Sequence, residues 1–409
     1  MVRQRQGRAE LTNVRGFLDL LYGTDLHAKR IGSLSDATLG LMHSATLVAM
    51  IGHALAQARG LVTKHAVKQV DRLLSNAGID VWDSFARCVP QQIGERRDIL
   101  VAMDWTDFDH DGQAALVLSL VTGHGRAAPL LWLSVWKDEL TEQRNGFEDA
   151  CLRRLAELVP AGCQVTILAD RGFGDQKLFA FLPTLGFGYV IRFRGNIAVT
   201  DAEGQTRPAS QWVGKGGRAR KLTGARVTAK GQQVGAVVCV HAEDMKEPWC
   251  LASSESDATA ATLINHYAKR WTIEPQFRDT KDLRFGMGLS ATRIGEPMRR
   301  DRLLLISAFA TALLTLLGAV GESLGMDRLL KSNTSKTRTH SLFRQGCMLY
   351  ELIPNMPEHR LLRLMQLKIP LIVHTGPNTP AKSGCSCSIW EKRCMSGPSQ
   401  SSRIVGMRS

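Results

Sequence analysis

The sequence predicts an α/β protein: a mixed-sheet core with a β-strand insertion, set between helical N-terminal and C-terminal regions. Three observations lead there. Residues 1–90 carry leucine and alanine at helical spacing, with no strong strand run. From about residue 95, apolar runs and helical segments follow in the order strand, strand, strand, helix, strand, helix, strand. Three antiparallel strands followed by helix-linked strands make a mixed sheet. From Gly195 to about Ser254 the chain turns glycine-rich and strand-like, and helices return at Ala258 and run past Tyr350.

The elements follow from local pattern. In "VTKHAVKQVDRLLSNAG" Thr63 is the expected N-cap and Gly78 the residue just past the helix end. Lys64, Lys68 and Arg72 fall at i, i+4 and i+8 on that helix, either a solvated face or a surface laid on DNA. "DILVAMDWTDF" reads as a buried strand ending in an acid, and "CQVTILAD" as another. Two apolar runs around Gly123-His124-Gly125 form a hairpin. Helices are expected from Asn145 to Val159 and from Asp175 to Leu185, with the strand "FGYVIRF" after them.

Charge narrows the function. The 409 residues carry a net charge of +14, a field that attracts polyanions, nucleic acids first among them. The nine cysteines are scattered, and "MVRQRQGRAE" is no secretory signal, so a reducing cytoplasm is the expected setting. Cys385, Cys387 and Cys394 do not complete a four-ligand zinc site. Leu303–Val320 runs 18 residues without a charge. Its Ser307, Thr311, Thr315 and Gly318 favour a core helix over a membrane span, so no membrane partner is expected.

Three acids stand out. Asp104 and Asp170 each close an expected strand, at the sheet rim where α/β sites usually lie. Taken singly, each also suits a turn or cap. Glu274 belongs to "YAKRWTIEPQFRDTK", where Tyr267, Arg270, Glu274 and Lys281 stand at offsets 0, 3, 7 and 14. On one continuous helix these four share a sector of about 60°. Pro275 inside that helix implies a kink or a restart. Three clustered carboxylates repel one another unless divalent cations join them, and hard oxygen donors suit Mg²⁺. Two such ions, with Mn²⁺ an accepted substitute, would serve in-line phosphoryl transfer. Arg270 and Lys281 would then clamp phosphates, and Tyr267 would donate a hydrogen bond to one.

With these residues the chain resembles the IS4 family of insertion-sequence transposases, in particular the IS10 and Tn10 type. That family's pattern Y-(2)-R-(3)-E-(6)-K is met at every interval by Tyr267, Arg270, Glu274 and Lys281. "MDWTDF", "LADRGF" and "KEPWCLAS" resemble its other segments, and the likeness covers about residues 30–365. The resemblance implies a ribonuclease-H-like core interrupted by a β-strand insertion, with Asp104, Asp170 and Glu274 as catalytic, metal-holding acids. It implies excision by nicking, hairpin formation and reopening, and strand transfer, on inverted-repeat ends and target DNA, by a homodimer in the synaptic complex. Trp249 resembles the tryptophan that stacks on a flipped base; its other reading is core packing. Trp271 is read mainly as packing. Pro275 departs from the family, where a second acid often follows the glutamate.

The implied segments are a helical DNA-binding domain at 1–94, catalytic core at 95–194 and 257–325, β-rich insertion at 195–256, helical region at 326–375 and disordered tail at 376–409. Two alternatives stay open: a ribonuclease-H-like nuclease without strand transfer, and an inactive copy that only binds DNA.

Overall fold

The computed structural model describes residues 2–43, 48–361, 363 and 364. The expected tail at 376–409, with Cys385, Cys387 and Cys394, lies outside them. The chain forms two compact units. Among the described residues, one comprises those up to Ala169, Phe181–Gly188 and those from Lys269 to Leu364; the other comprises Asp170–Ala180 and Tyr189–Ala268.

Five helices open the first unit: α1 (Val2–Tyr22), α2 (Ala28–His43), α3 (Val48–Arg59), α4 (Thr63–Leu74) and α5 (Val81–Ile93). Asp80 caps α5, its carboxylate accepting from the N–H groups of Trp82 at 2.7 Å and Asp83 at 3.2 Å. That satisfies two first-turn donors which no helical carbonyl can reach. The expected cap of α4 shifts by one residue. The Val62 carbonyl accepts from His65 and Ala66, which makes Val62 the N-cap and Thr63 the first helical residue. The helix stops at Leu74, so Gly78 lies beyond its C-cap, Ser75. Lys64, Lys68 and Arg72 are exposed, while Ala66, Val70, Leu73 and Leu74 are buried.

The sheet follows the predicted order. β1 (Asp98–Phe108), β2 (Gln113–Val121) and β3 (Ala127–Trp136) form an antiparallel meander, with the β2–β3 turn at Gly123-His124-Gly125. Next come α6 (Leu140–Leu158) and β4 (Gln164–Ala169), which pairs parallel to β1 from Asp98↔Gln164 to Met103↔Ala169. In this unit the order is therefore β3–β2–β1–β4, a mixed sheet. β2 is buried at every position from Gln113 to Leu120, the mark of a strand covered on both faces. Helix α6 begins five residues before the expected Asn145, because a turn from the Lys137 carbonyl to Leu140 N–H starts it there.

In chain order α7 (Gln176–Thr184) and β5 (Gly188–Phe193) come next. The strands β6 (Ala198–Thr200), β7 (Thr206–Pro208), β8 (Arg220–Thr223), β9 (Arg226–Val227), β10 (Gln232–Gln233), β11 (Ala236–Val240) and β12 (Trp249–Ser253) make up the rest of the β-rich region. The second unit carries an antiparallel run β5–β12–β11–β8 and a small sheet β10–β9–β6–β7. The short strands match the glycine-rich sequence, in which Gly204, Gly216, Gly217, Gly224 and Gly231 all take positive φ.

Helix α8 (Ala260–Lys269) leads to a 3₁₀ turn at Arg270–Thr272 and then α9 (Ile273–Lys281). The restart that Pro275 implies is thus observed, beginning two residues before it, and the tighter turn breaks the angular register of the Tyr267–Lys281 stripe. The restart is also what lets Pro275 be tolerated. It stands at the third position of α9, where its missing N–H has no intrahelical acceptor to lose.

The long apolar run lies in α10 (Pro297–Ser323), which is long and apolar enough to cross a membrane, but 78% of its most apolar window is buried within the protein. Its first turns are fastened by charge. Arg299 pairs with Asp71 at 2.7 Å. Arg300, wholly buried, donates to Gln113 and Thr292 at 3.2 Å and pairs with Asp111. Arg302 donates to the carbonyls of Ile79 and Leu74, both at 2.9 Å. α11 (Leu342–Leu352) packs on α10 where Gly318 and Gly346 leave no room for a Cβ.

Asp301 completes this junction by accepting from Ser134 N–H of β3 at 2.9 Å. Burial pushes its pKa from 3.8 up to about 7. Between those values the native chain keeps a proton that the unfolded chain has lost, so this group makes stability fall as pH rises from about 4 to about 7. Asp301→Asn retains the acceptor without the charge. Urea unfolding at pH 5 and pH 7.5 is expected to show a smaller loss for the variant than for the wild type, by on the order of a few kcal/mol.

Candidate active site

Asp104 does not end its strand. β1 continues to Phe108 because β2 keeps pairing with it, and Asp104 stands opposite Val117. What ends there is the parallel partner: Met103↔Ala169 is the last β1–β4 pair, and Asp104 and Asp170 are the next residue of each strand's chain. The rim expected from sequence is real for β4 and is internal to β1.

In the first unit, Arg270 gathers the acids. Its guanidinium donates to Asp104 Oδ2 and to Glu274 Oε1, both at 3.2 Å. The Arg270 side chain is 6% exposed, against 21% for Asp104 and 43% for Glu274. The other Asp104 oxygen accepts from Trp105 N–H at 2.9 Å. A cation embedded between two carboxylates satisfies both, and the planar fork of arginine suits that bridge. Both acids offer hard oxygens to one positive charge, the donor chemistry a divalent cation requires. Among the described residues no group of three or more His, Cys, Asp or Glu side chains is assembled as a metal site.

Helix α9 is held on the sheet by contacts spaced along its length. Ile273 is fully buried with Ala102 and Ala127. Ser119 donates to Gln276 at 3.2 Å, and Arg126 pairs with Asp279 at 2.6 Å. At the C-terminal end Lys281 donates to the Asp107 carbonyl at 2.6 Å and to Thr106 Oγ1 at 3.2 Å, with its ammonium 5.3 Å from the Phe108 ring centre. Burial holds the Lys281 pKa below its ordinary value, and burial raises that of Asp279 despite Arg126.

The second unit places the remaining residues. Asp170 caps the 3₁₀ turn Arg171–Phe173, its side chain accepting from Gly172 N–H at 2.7 Å. The turn-starter reading of this acid is therefore observed. Arg171 pairs with Glu247 at 2.8 Å, and Arg192 reaches the same carboxylate at 3.1 Å. Two residues after Glu247, half-buried Trp249 opens β12 and meets the buried Tyr267 edge to face, ring centres 4.9 Å apart.

Sequence reading missed three features. Trp105 donates to Glu148 of α6 at 2.9 Å, and Arg144 pairs with that carboxylate at 2.9 Å. The only hint was a tryptophan beside an acid. Nothing in the sequence coupled Arg126 to Asp279. Trp271, read mainly as packing, is 41% exposed, with the Arg270 guanidinium carbon 5.4 Å from its ring centre.

A family model described as transposase DDE domain matches residues 97–310, more than half of the chain. The chain belongs to this family. As a DDE transposase it is a polynucleotidyl transferase and endonuclease acting on DNA, chemistry that in these enzymes generally uses divalent metal ions. The mixed sheet with flanking helices is consistent with a ribonuclease-H-like core. No curated protein matches the transposase.

The clamp on α9 can be tested on the folded transposase. Arg126→Met leaves the Asp279 carboxylate buried without its cation, which costs about 3–5 kcal/mol where a buried pair is broken from one side. Thermal unfolding is expected to show that loss. Arg126→Met with Asp279→Asn is expected to recover part of it.

Proposed function

We propose that this transposase is of the IS4 type, close to the IS10 and Tn10 elements, and moves its element by cut and paste. The observation that carries the reading is the meeting of Asp104 and Glu274 on Arg270, three residues 166 and 4 positions apart in sequence. In this reading Asp104, Asp170 and Glu274 hold two Mg²⁺ ions, for which Mn²⁺ substitutes. The ions would stabilise the charge on the attacking and leaving oxygens of the phosphodiester. The protein's own residues supply position. Lys281 and Arg270 bind backbone phosphates, Tyr267 donates to one, and the carboxylate of Glu274 sits where α9 begins.

The exposed Lys64, Lys68 and Arg72 stripe supports a DNA-binding role for residues 1–94. Such contacts bind the backbone and position the duplex without reading its sequence. Residues 95–194 and 257–325 would form the catalytic core around the 195–256 insertion. The substrates would be the inverted-repeat ends and a target DNA, joined by a homodimer in the bacterial cytoplasm at the nucleoid. Trp249 would offer its free face to a base flipped out during hairpin formation, with Tyr267 backing it. Trp271, exposed beside Arg270, is a second stacking surface.

Asp104→Asn, Asp170→Asn and Glu274→Gln are each expected to abolish cleavage of labelled element ends in Mg²⁺ while gel shifts show those ends still bound. Full cleavage by any one would remove that residue from the metal-holding set. With the wild type, nicks without joined target product would favour a nuclease. Stacking of one base contributes about 1–3 kcal/mol. Trp249→Ala is therefore expected to nick normally and to form hairpins about tenfold or more slowly in a single-turnover time course.

A further inference from the structure

We infer that Arg270 and the divalent cation compete for the same two carboxylates, and that a DNA phosphate relieves the competition by drawing Arg270 to itself. The inference rests on the proposed metal role of Asp104 and Glu274. Its starting point is geometric. One guanidinium donates to Asp104 Oδ2 and Glu274 Oε1 at equal distances of 3.2 Å, from a side chain that is 6% exposed. It thus holds one oxygen from each acid that a bridging cation would need, and it adds a like charge beside any cation that arrives.

Arginine is suited to this exchange. Its charge is permanent, so loss of a proton cannot release the carboxylates, and its planar fork matches a carboxylate or a phosphate equally well. A second anion that accepts from the same fork can therefore draw it from the carboxylates. The 3₁₀ turn at Arg270–Thr272 lies between two α-helices, so a change in the Arg270 side chain need not disturb either helical ladder. α9 is meanwhile held by Gln276 on Ser119, Asp279 on Arg126 and Lys281 on the Asp107 carbonyl.

Cation loading is then coupled to DNA, and the coupling is reciprocal: whatever factor DNA adds to cation affinity, the cation adds to DNA affinity. The chain would hold its acids paired and catalytically silent until a phosphate backbone is in place.

Mn²⁺ binding to the full-length protein, followed by electron paramagnetic resonance of the free ion, tests this without any turnover. The probe DNA is a short blunt duplex with 5′ phosphates, and Asp104→Asn/Glu274→Gln is the blank for ions held by the DNA or elsewhere. The wild type is expected to bind Mn²⁺ at least tenfold more tightly with the duplex than without it. Arg270→Gln is expected to bind it tightly without duplex and to gain less than threefold from adding it. Arg270→Lys, which keeps the charge but loses the fork, is expected to fall between the two, and serves if the glutamine variant does not fold. A wild-type affinity indifferent to duplex, or an Arg270→Gln affinity no tighter than wild type, overturns the competition. If the Asp104→Asn/Glu274→Gln blank binds Mn²⁺ as the wild type does, the carboxylates are not the cation site and the proposed function itself fails.

Discussion

The site depends on one constraint: α9 must lie against β1, β2 and β3 at a fixed register. Apolar packing of Ile273 presses the helix onto the sheet but does not choose its position along the axis, because apolar contact is non-directional. The polar contacts choose it. Ser119–Gln276, Arg126–Asp279 and Lys281 on Thr106 and Asp107 are spread over the helix length. A slide of one residue would misalign all three, and the buried Asp279 would then lie uncompensated. With α9 set in this way, Glu274 at its start faces Arg270 and Asp104.

Two clusters of charge in the first unit differ in how far they are enclosed. At the head of α10, Arg299, Arg300 and Arg302 bind carbonyls, amides and carboxylates from β1–β2 and the α4–α5 region, and Arg300 stacks 4.0 Å from the Phe108 ring centre. These contacts join the N-terminal helices to the sheet of the same unit. Around Arg270 the same chemistry meets acids that remain partly exposed. A fully enclosed pair fixes a structure, whereas a pair with solvent on one side can exchange partners.

The second unit shows how one loop serves several residues. Glu247 holds Arg171 and Arg192, which ties the turn begun by Asp170 to the strand where Trp249 starts. Tyr267 then supports Trp249 from its edge. An acid, a half-buried tryptophan and a buried tyrosine are thereby positioned by short-range contacts within a region whose own strands are short.

Sequence by itself determined the order of strands and helices, the hairpin at Gly123–Gly125, the β-rich region, the buried nature of the Leu303–Val320 run and the YREK intervals. Each of these rests on local periodicity or on turn chemistry, which neighbours in the chain dictate. It misjudged the extent of β1 beyond Asp104, the cap of α4 and the start of α6, since those depend on which partner strand or carbonyl is present. It read Trp271 as packing because a tryptophan at helical spacing carries no sign of its facing. Only the tertiary structure decided that Arg270 bridges Asp104 and Glu274, that Arg126 answers Asp279, and that Arg300 and Arg302 turn inward. Charges far apart in the chain attract whatever folding brings near, and no spacing in the sequence records which that is.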